Sequence, residues 1–167
     1  VWVPNIMGTF SVAAYLPDTM TDSVCTSEKD VVLVVGFEGN VNFNAEAAAQ
    51  SYNKYQKQLG FRETYYSIVV GLDGMEGRHK LSDSELADYL DTPEGVQDLI
   101  DKLSEFCANN RQKFDKILLP PVLGFVNYSD AVKKLKSDLG CAVGEVMTMG
   151  NAVVGYRMTR AIWQGLK

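Results

Sequence analysis

Few residues in this chain are of types and spacings that could do chemistry. Gly36-Phe37-Glu38-Gly39 stands directly after the apolar run Val31-Val32-Leu33-Val34-Val35, where a phosphate-binding loop would stand after a buried strand. It matches neither Gly-x-Gly-x-x-Gly nor Gly-x-x-x-x-Gly-Lys-Ser/Thr, and a turn built on a glycine pair is the plainer reading. Pro120 and Pro121 end a second apolar run and form a rigid turn. That turn serves either as a surface for a planar ligand or as a strand terminator. Gly150-Asn151-Ala152 precedes a helical pattern and offers backbone N–H groups to an anion, with Arg157 one or two turns further on; an ordinary helix start fits equally well. Gly8-Thr9 is the only loop-like pair in the opening segment.

The remaining candidates have plainer explanations. His79 is the sole histidine and lies between Arg78 and Lys80, so neither a histidine metal cluster nor a Ser-His-Asp triad finds support, and a solvated side chain is expected. Asp83, Glu85, Asp88 and Asp91 read as helix-start charges and a wet face. Cys25, Cys107 and Cys141 are odd in number and far apart, which supports neither a disulfide framework nor a Cys-x-x-Cys metal site; Cys107 reads as a core filler. No metal is expected.

The elements that must position these residues alternate between strand and helix. Val31 to Gly36 is read as a central strand and Asn44 as the cap of a helix running to about Leu59, with Gly60 at its end. Phe61–Val70 reads as a strand, and Gly71 to His79 as a glycine-rich loop. Ser82 and Glu85 make a capping box for a helix containing Leu86 and Leu90. Pro93 opens another helix, with Val96, Leu99, Ile100, Leu103 and Phe106 on one face. A strand at Lys116–Leu119, a helix from Asp130 to Leu139 closed by Gly140, a short strand at Cys141–Met147 and a final helix carrying Val154, Met158, Ala161, Ile162 and Leu166 complete the pattern. Asp18 to Asp30 is expected to be an exposed loop. The order predicts an α/β three-layer sandwich with a mainly parallel sheet flanked by helices, in one domain over residues 1–167.

Composition narrows the function classes. With 46% hydrophobic and 22% charged residues the 167-residue chain has enough apolar content for one core. A formal charge of -5, with no stripe of Lys and Arg, argues against nucleic acid and against direct attraction to an acidic membrane. Neither a spanning segment nor a signal peptide is evident, and a reducing cytoplasmic setting is expected. The start at Val1 rather than Met points to a mature or excised fragment.

Taken in order, Met7-Gly8-Thr9 and Leu16, Val34-Val35-Gly36-Phe37-Glu38-Gly39 followed by Phe43, Leu86 to Asp91, Leu119-Pro120-Pro121-Val122-Leu123-Gly124 and Gly155-Tyr156-Arg157 resemble the central domain of the B subunit of anaerobic glycerol-3-phosphate dehydrogenase. The resemblance covers nearly the whole chain. It implies an insert or cap domain of a flavin-dependent dehydrogenase subunit, in which flanking segments of the parent hold the flavin (FMN or FAD) and this fragment alone is inactive. It further implies that Gly8, Thr9, Gly36, Gly39, Pro120, Pro121, Gly150, Asn151 and Arg157 face flavin or substrate and that the substrate is small and phosphorylated. The implied partners are the catalytic and iron–sulfur subunits, through which the protein would meet the inner face of the cell membrane. Two positions depart from the pattern: Glu38 stands where the family usually has arginine, and Gly150-Asn151-Ala152 where it has a Pro-Pro-Ser turn. The alternating pattern alone supports a second expectation, a free-standing flavodoxin-like module binding a small anion or mononucleotide at the loops after Gly36 and Pro120. A third is an interaction domain that docks to partner subunits.

Overall fold

In the computed structural model, which describes residues 1–148 and 152–166, four parallel strands form the central sheet. In chain order the elements are β1 (Trp2–Pro4), β2 (Phe10–Val12), β3 (Val31–Phe37), α1 (Ala45–Tyr55), β4 (Thr64–Val70), α2 (Asp83–Leu90), α3 (Pro93–Asn110), β5 (Lys116–Leu119), α4 (Tyr128–Leu139), β6 (Ala142–Glu145) and α5 (Ala152–Gly165). The sheet order is β4-β3-β5-β6, with every pairing parallel.

A strand inside such a sheet is covered on both faces, which is why β3 is an uninterrupted apolar run and not an alternating one. Its even positions Val32 and Val34 face α1, packing with Ala45, Ala48, Ala49 and Tyr52. Its odd positions Leu33, Val35 and Phe37 face α2, α3 and α4, where Leu90, Leu99, Leu103 and Leu135 are fully buried. Each such leucine contributes on the order of 1.5–3 kcal/mol by leaving water. The helix starts follow from local chemistry: Asn44 accepts from the Ala47 N–H, Ser82 and Glu85 close a capping box, and Thr92 caps α3 with Pro93 in its first turn.

The opening segment is an antiparallel hairpin, β1 with β2, docked beyond the outer edge of β6 by the Ile6 N–H to Met147 carbonyl bond and the Met147 N–H to Pro4 carbonyl bond. These partners lie too far along the chain for periodicity to reveal them. Asp18 to Asp30 is not simply an exposed loop: a 3-10 turn at Asp18–Ser23 buries Thr19, Met20 and Ser23, and Cys25 is buried after it. It lies so close to β6 that a Cβ at Gly144 would collide with Ser23, whose hydroxyl donates to the Glu145 carbonyl.

Gly36 and Gly39 do not form the expected turn pair. Gly39 has φ 78° and needs glycine for that reason. Gly36 lies in β3 without a positive φ, and a Cβ there would come 3.0 Å from the Ala45 Cβ, so its role is to let α1 approach the sheet.

Candidate functional site

Strand connections diverge between β3 and β5, and in a parallel sheet the crevice at that switch point, at the strands' C-terminal ends, is where ligands usually bind. β3 and β5 bring Gly36, Gly39, Pro120 and Pro121 to this edge, and Arg157 joins them through the carboxylate at the end of β6. Gly8 and Thr9 lie elsewhere: Gly8 sits against Ser51 and Ala48 of α1, and the Thr9 hydroxyl bonds the Asn5 side chain. Gly150 and Asn151 fall outside the described residues.

The loops at this edge are occupied by the chain's own polar groups. After β3, the Asn40 carboxamide oxygen accepts from the N–H groups of Asn42 and Phe43, and its amide nitrogen donates to Asp83. After β5, residues Pro120 to Gly124 are all buried. The Leu123 N–H donates to the Glu145 carboxylate at 2.8 Å. At the start of α4 the Asp91 carboxylate, from the junction of α2 and α3, accepts from the N–H groups of Phe125, Val126 and Asn127 at 2.7–3.0 Å. Gly124, at φ 88°, turns the chain into this arrangement, and a Cβ there would overlap the Asp91 carboxylate. Consecutive N–H groups at a helix start form a concave anion site, and here the anion is built in.

Arg157 is similarly committed. Its guanidinium is 7% exposed and forks onto the fully buried Glu145 carboxylate, with Nη2 to Oε1 at 3.0 Å. Nε donates to the Gly124 carbonyl at 2.7 Å, and the group lies over the Tyr128 ring at 4.7 Å. This enclosed ion pair fixes α5 across the edge.

An open cleft of about 510 Å³ remains beside this filled crevice, at the ends of β3 and β4. Glu38, Asp73, Glu76, Arg78 and His79 are its ionisable lining groups. His79 is exposed, as its sequence setting implied. Arg78 pairs with Glu85 at 3.3 Å and Asp73 with Lys102 at 2.6 Å. Three carboxylates against one arginine and one histidine make it a poor phosphate receptor.

A second polar cluster lies at the opposite, N-terminal edge. Lys116 reaches Glu63 at 2.7 Å and the Val24 carbonyl at 2.8 Å, and the Tyr65 hydroxyl donates to Glu63 at 2.6 Å. The parallel register sets Lys116 and Tyr65 level with Val32, on one face. Burial, reinforced by Glu63, pushes the nearby Cys25 thiol up to about 12; burial followed by the charges of Cys25 and Glu63 raises the Tyr65 phenol. With its thiol buried and its ion pair satisfied, this cluster is structural.

No sequence pattern singles out Asn40, Glu145 or Glu63, and Asp91, expected on a wet face, is instead folded onto the start of α4. The one available signal was the position of Asp91, between two helices and followed directly by the Thr92 cap. Among the described residues no helix is long and apolar enough to cross a membrane, and no group of three or more His, Cys, Asp and Glu is placed to hold a metal ion. No protein-family model, curated protein or solved structure matches the chain.

Proposed function

We propose that the chain is a covering domain of a larger flavin-dependent dehydrogenase subunit, of the kind its motifs resemble in anaerobic glycerol-3-phosphate dehydrogenase, and that it works docked against flanking parts of that polypeptide. The observation that carries this reading is the outer face of α5. Tyr156, Met158, Ile162 and Trp163 are each more than half exposed, while Val153 and Arg157 occupy the buried side. An amphipathic helix normally turns its apolar face inward, and one that presents it to solvent marks a surface for association. In the opening segment Met7, Val12 and Tyr15 are exposed as well.

The residues of this chain do not fit a flavin cradle. Gly36, Pro120 and Pro121 are buried, Arg157 is enclosed by Glu145, and the loop amides are held by Asn40, Asp91 and Glu145. In this reading the flanking segments hold both the flavin and the substrate phosphate, and this chain excludes water and orients its neighbours; no redox step passes through it. The same filled loops lend less support to a free-standing module with its own anion site.

The test is to produce the protein with the sequence that flanks it in its gene and record its absorption spectrum and glycerol-3-phosphate-dependent dye reduction. Bound flavin, lost in an Ile162→Glu, Trp163→Glu variant, is the expected result. A colourless, inactive protein with intact flanks overturns the reading.

A further inference from the structure

At the N-terminal edge of the sheet, Cys107 of α3 and Cys141, just before β6, line one cleft of about 330 Å³. The two thiols are far apart in sequence, yet both are half-buried and pack against the same apolar cluster. The other ionisable groups lining this cleft are Arg111 and Lys113, both exposed. In a chain of formal charge -5, this cleft carries only cations beside its thiols. Asp115 acts on Cys141 from nearby. Arg111 is also the only non-glycine residue with positive φ, 51°, among those described, at the C-terminal cap of α3, where glycine is the less strained choice.

We propose that Cys107 and Cys141 form a dithiol site that exchanges with small anionic disulfides of the glutathione disulfide class and closes to a Cys107–Cys141 bond. The Cys107 thiolate attacks one sulfur of the external disulfide; that S–S bond breaks and one thiolate leaves. The Cys141 thiolate then attacks the Cys107 sulfur and expels the second thiol. Two protein thiols lose two electrons and two protons, and the external disulfide is reduced to two thiols.

Arg111 and Lys113 attract the carboxylates of the incoming disulfide. Burial raises both thiols, Cys141 up to about 11 with Cys107 and then Asp115 adding to the effect, so Cys107 is the first nucleophile and the rate climbs with pH. Cys25, buried beside Glu63, serves as an internal control.

The experiment treats the folded protein with glutathione disulfide and maps its peptides without reduction. A linked Cys107–Cys141 pair with Cys25 free is expected, and Cys141→Ser should stop at a lasting glutathione adduct on Cys107. Removing both cations with Arg111→Ala, Lys113→Ala should slow the first step about threefold at low salt, and leave the rate with uncharged hydroxyethyl disulfide unchanged. Adducts in the unsubstituted protein that never resolve to the linked pair, linkage through Cys25, or no reaction where the unfolded chain reacts would each overturn the proposal, and these outcomes need no variant to fold.

Discussion

The Asp91 carboxylate stands 2.7 Å from the Asn127 N–H, at the first turn of a helix to which Asp91 does not belong. Asn127 makes no side-chain cap of its own, so Asp91 caps α4 from a distance and ties the α2–α3 junction to the loop after β5. Replacing Asp91 by glycine leaves three N–H groups without their acceptor and should cost about 2–4 kcal/mol in denaturant unfolding. The vacated cradle should then take an external anion. Sulfate should stabilise this variant more than it stabilises the unsubstituted protein, and equal stabilisation of the two would show that the cradle collapses.

Lys116 and Glu63 form an ion pair whose side chains are 6% and 1% exposed. Removing one partner leaves a buried charge, so Lys116→Met should cost about 3–5 kcal/mol, whereas Lys116→Met with Glu63→Leu should recover much of that loss. A double-mutant cycle in urea checks this. Additive losses would mean that the two charges do not depend on one another.

What the sequence revealed of this fold was what short-range chemistry controls. The Asn44 cap, the Ser82–Glu85 box, the proline at the start of α3 and the apolar run of β3 each determine local structure through residues only a few positions apart, and each was legible. The hairpin depends on Met147, and the burial of Ser23 depends on Gly144. Such dependencies join distant segments and leave no periodic trace. The candidate site was least legible, because glycines and prolines near strand ends carry a sequence signal, whereas Asn40, Asp91 and Glu145, which fill the crevice, carry no such signal. A carboxylate that folds back onto its own backbone has the same sequence signature as one exposed to water.

Glu85 carries a pH prediction. Its carboxylate accepts from the Ser82 N–H and hydroxyl, with Arg78 adding a smaller attraction, and these hold its pKa below the usual carboxylate value. A depressed folded-state pKa means that the contribution is fully present above the unfolded value, 4.5, and is lost as pH falls through the folded one. The stability difference between the unsubstituted protein and Glu85→Gln should therefore be constant near neutrality and shrink on acidification below about 4.5. A difference that does not change with pH would rule out this role for the carboxylate.

Arg157 is where the filled crevice and the exposed helix meet. Its guanidinium gives two parallel bonds to Glu145 and a third to the Gly124 carbonyl, a geometry that an ammonium cannot reproduce. Arg157→Lys should thus behave as a disruptive change, although the charge is kept. It leaves the fully buried Glu145 carboxylate with one lost bond, and α5 loses the paired attachment that Arg157 gives it at the end of β6. The expected cost is about 2–3 kcal/mol. The more telling measurement is hydrogen exchange, because detachment should accelerate the amides of α5 while those of β3 keep their protection. If the amides of α5 and β3 accelerate together, the ion pair supports the whole sheet. If neither changes, apolar contacts such as that of Val153 are enough to hold α5.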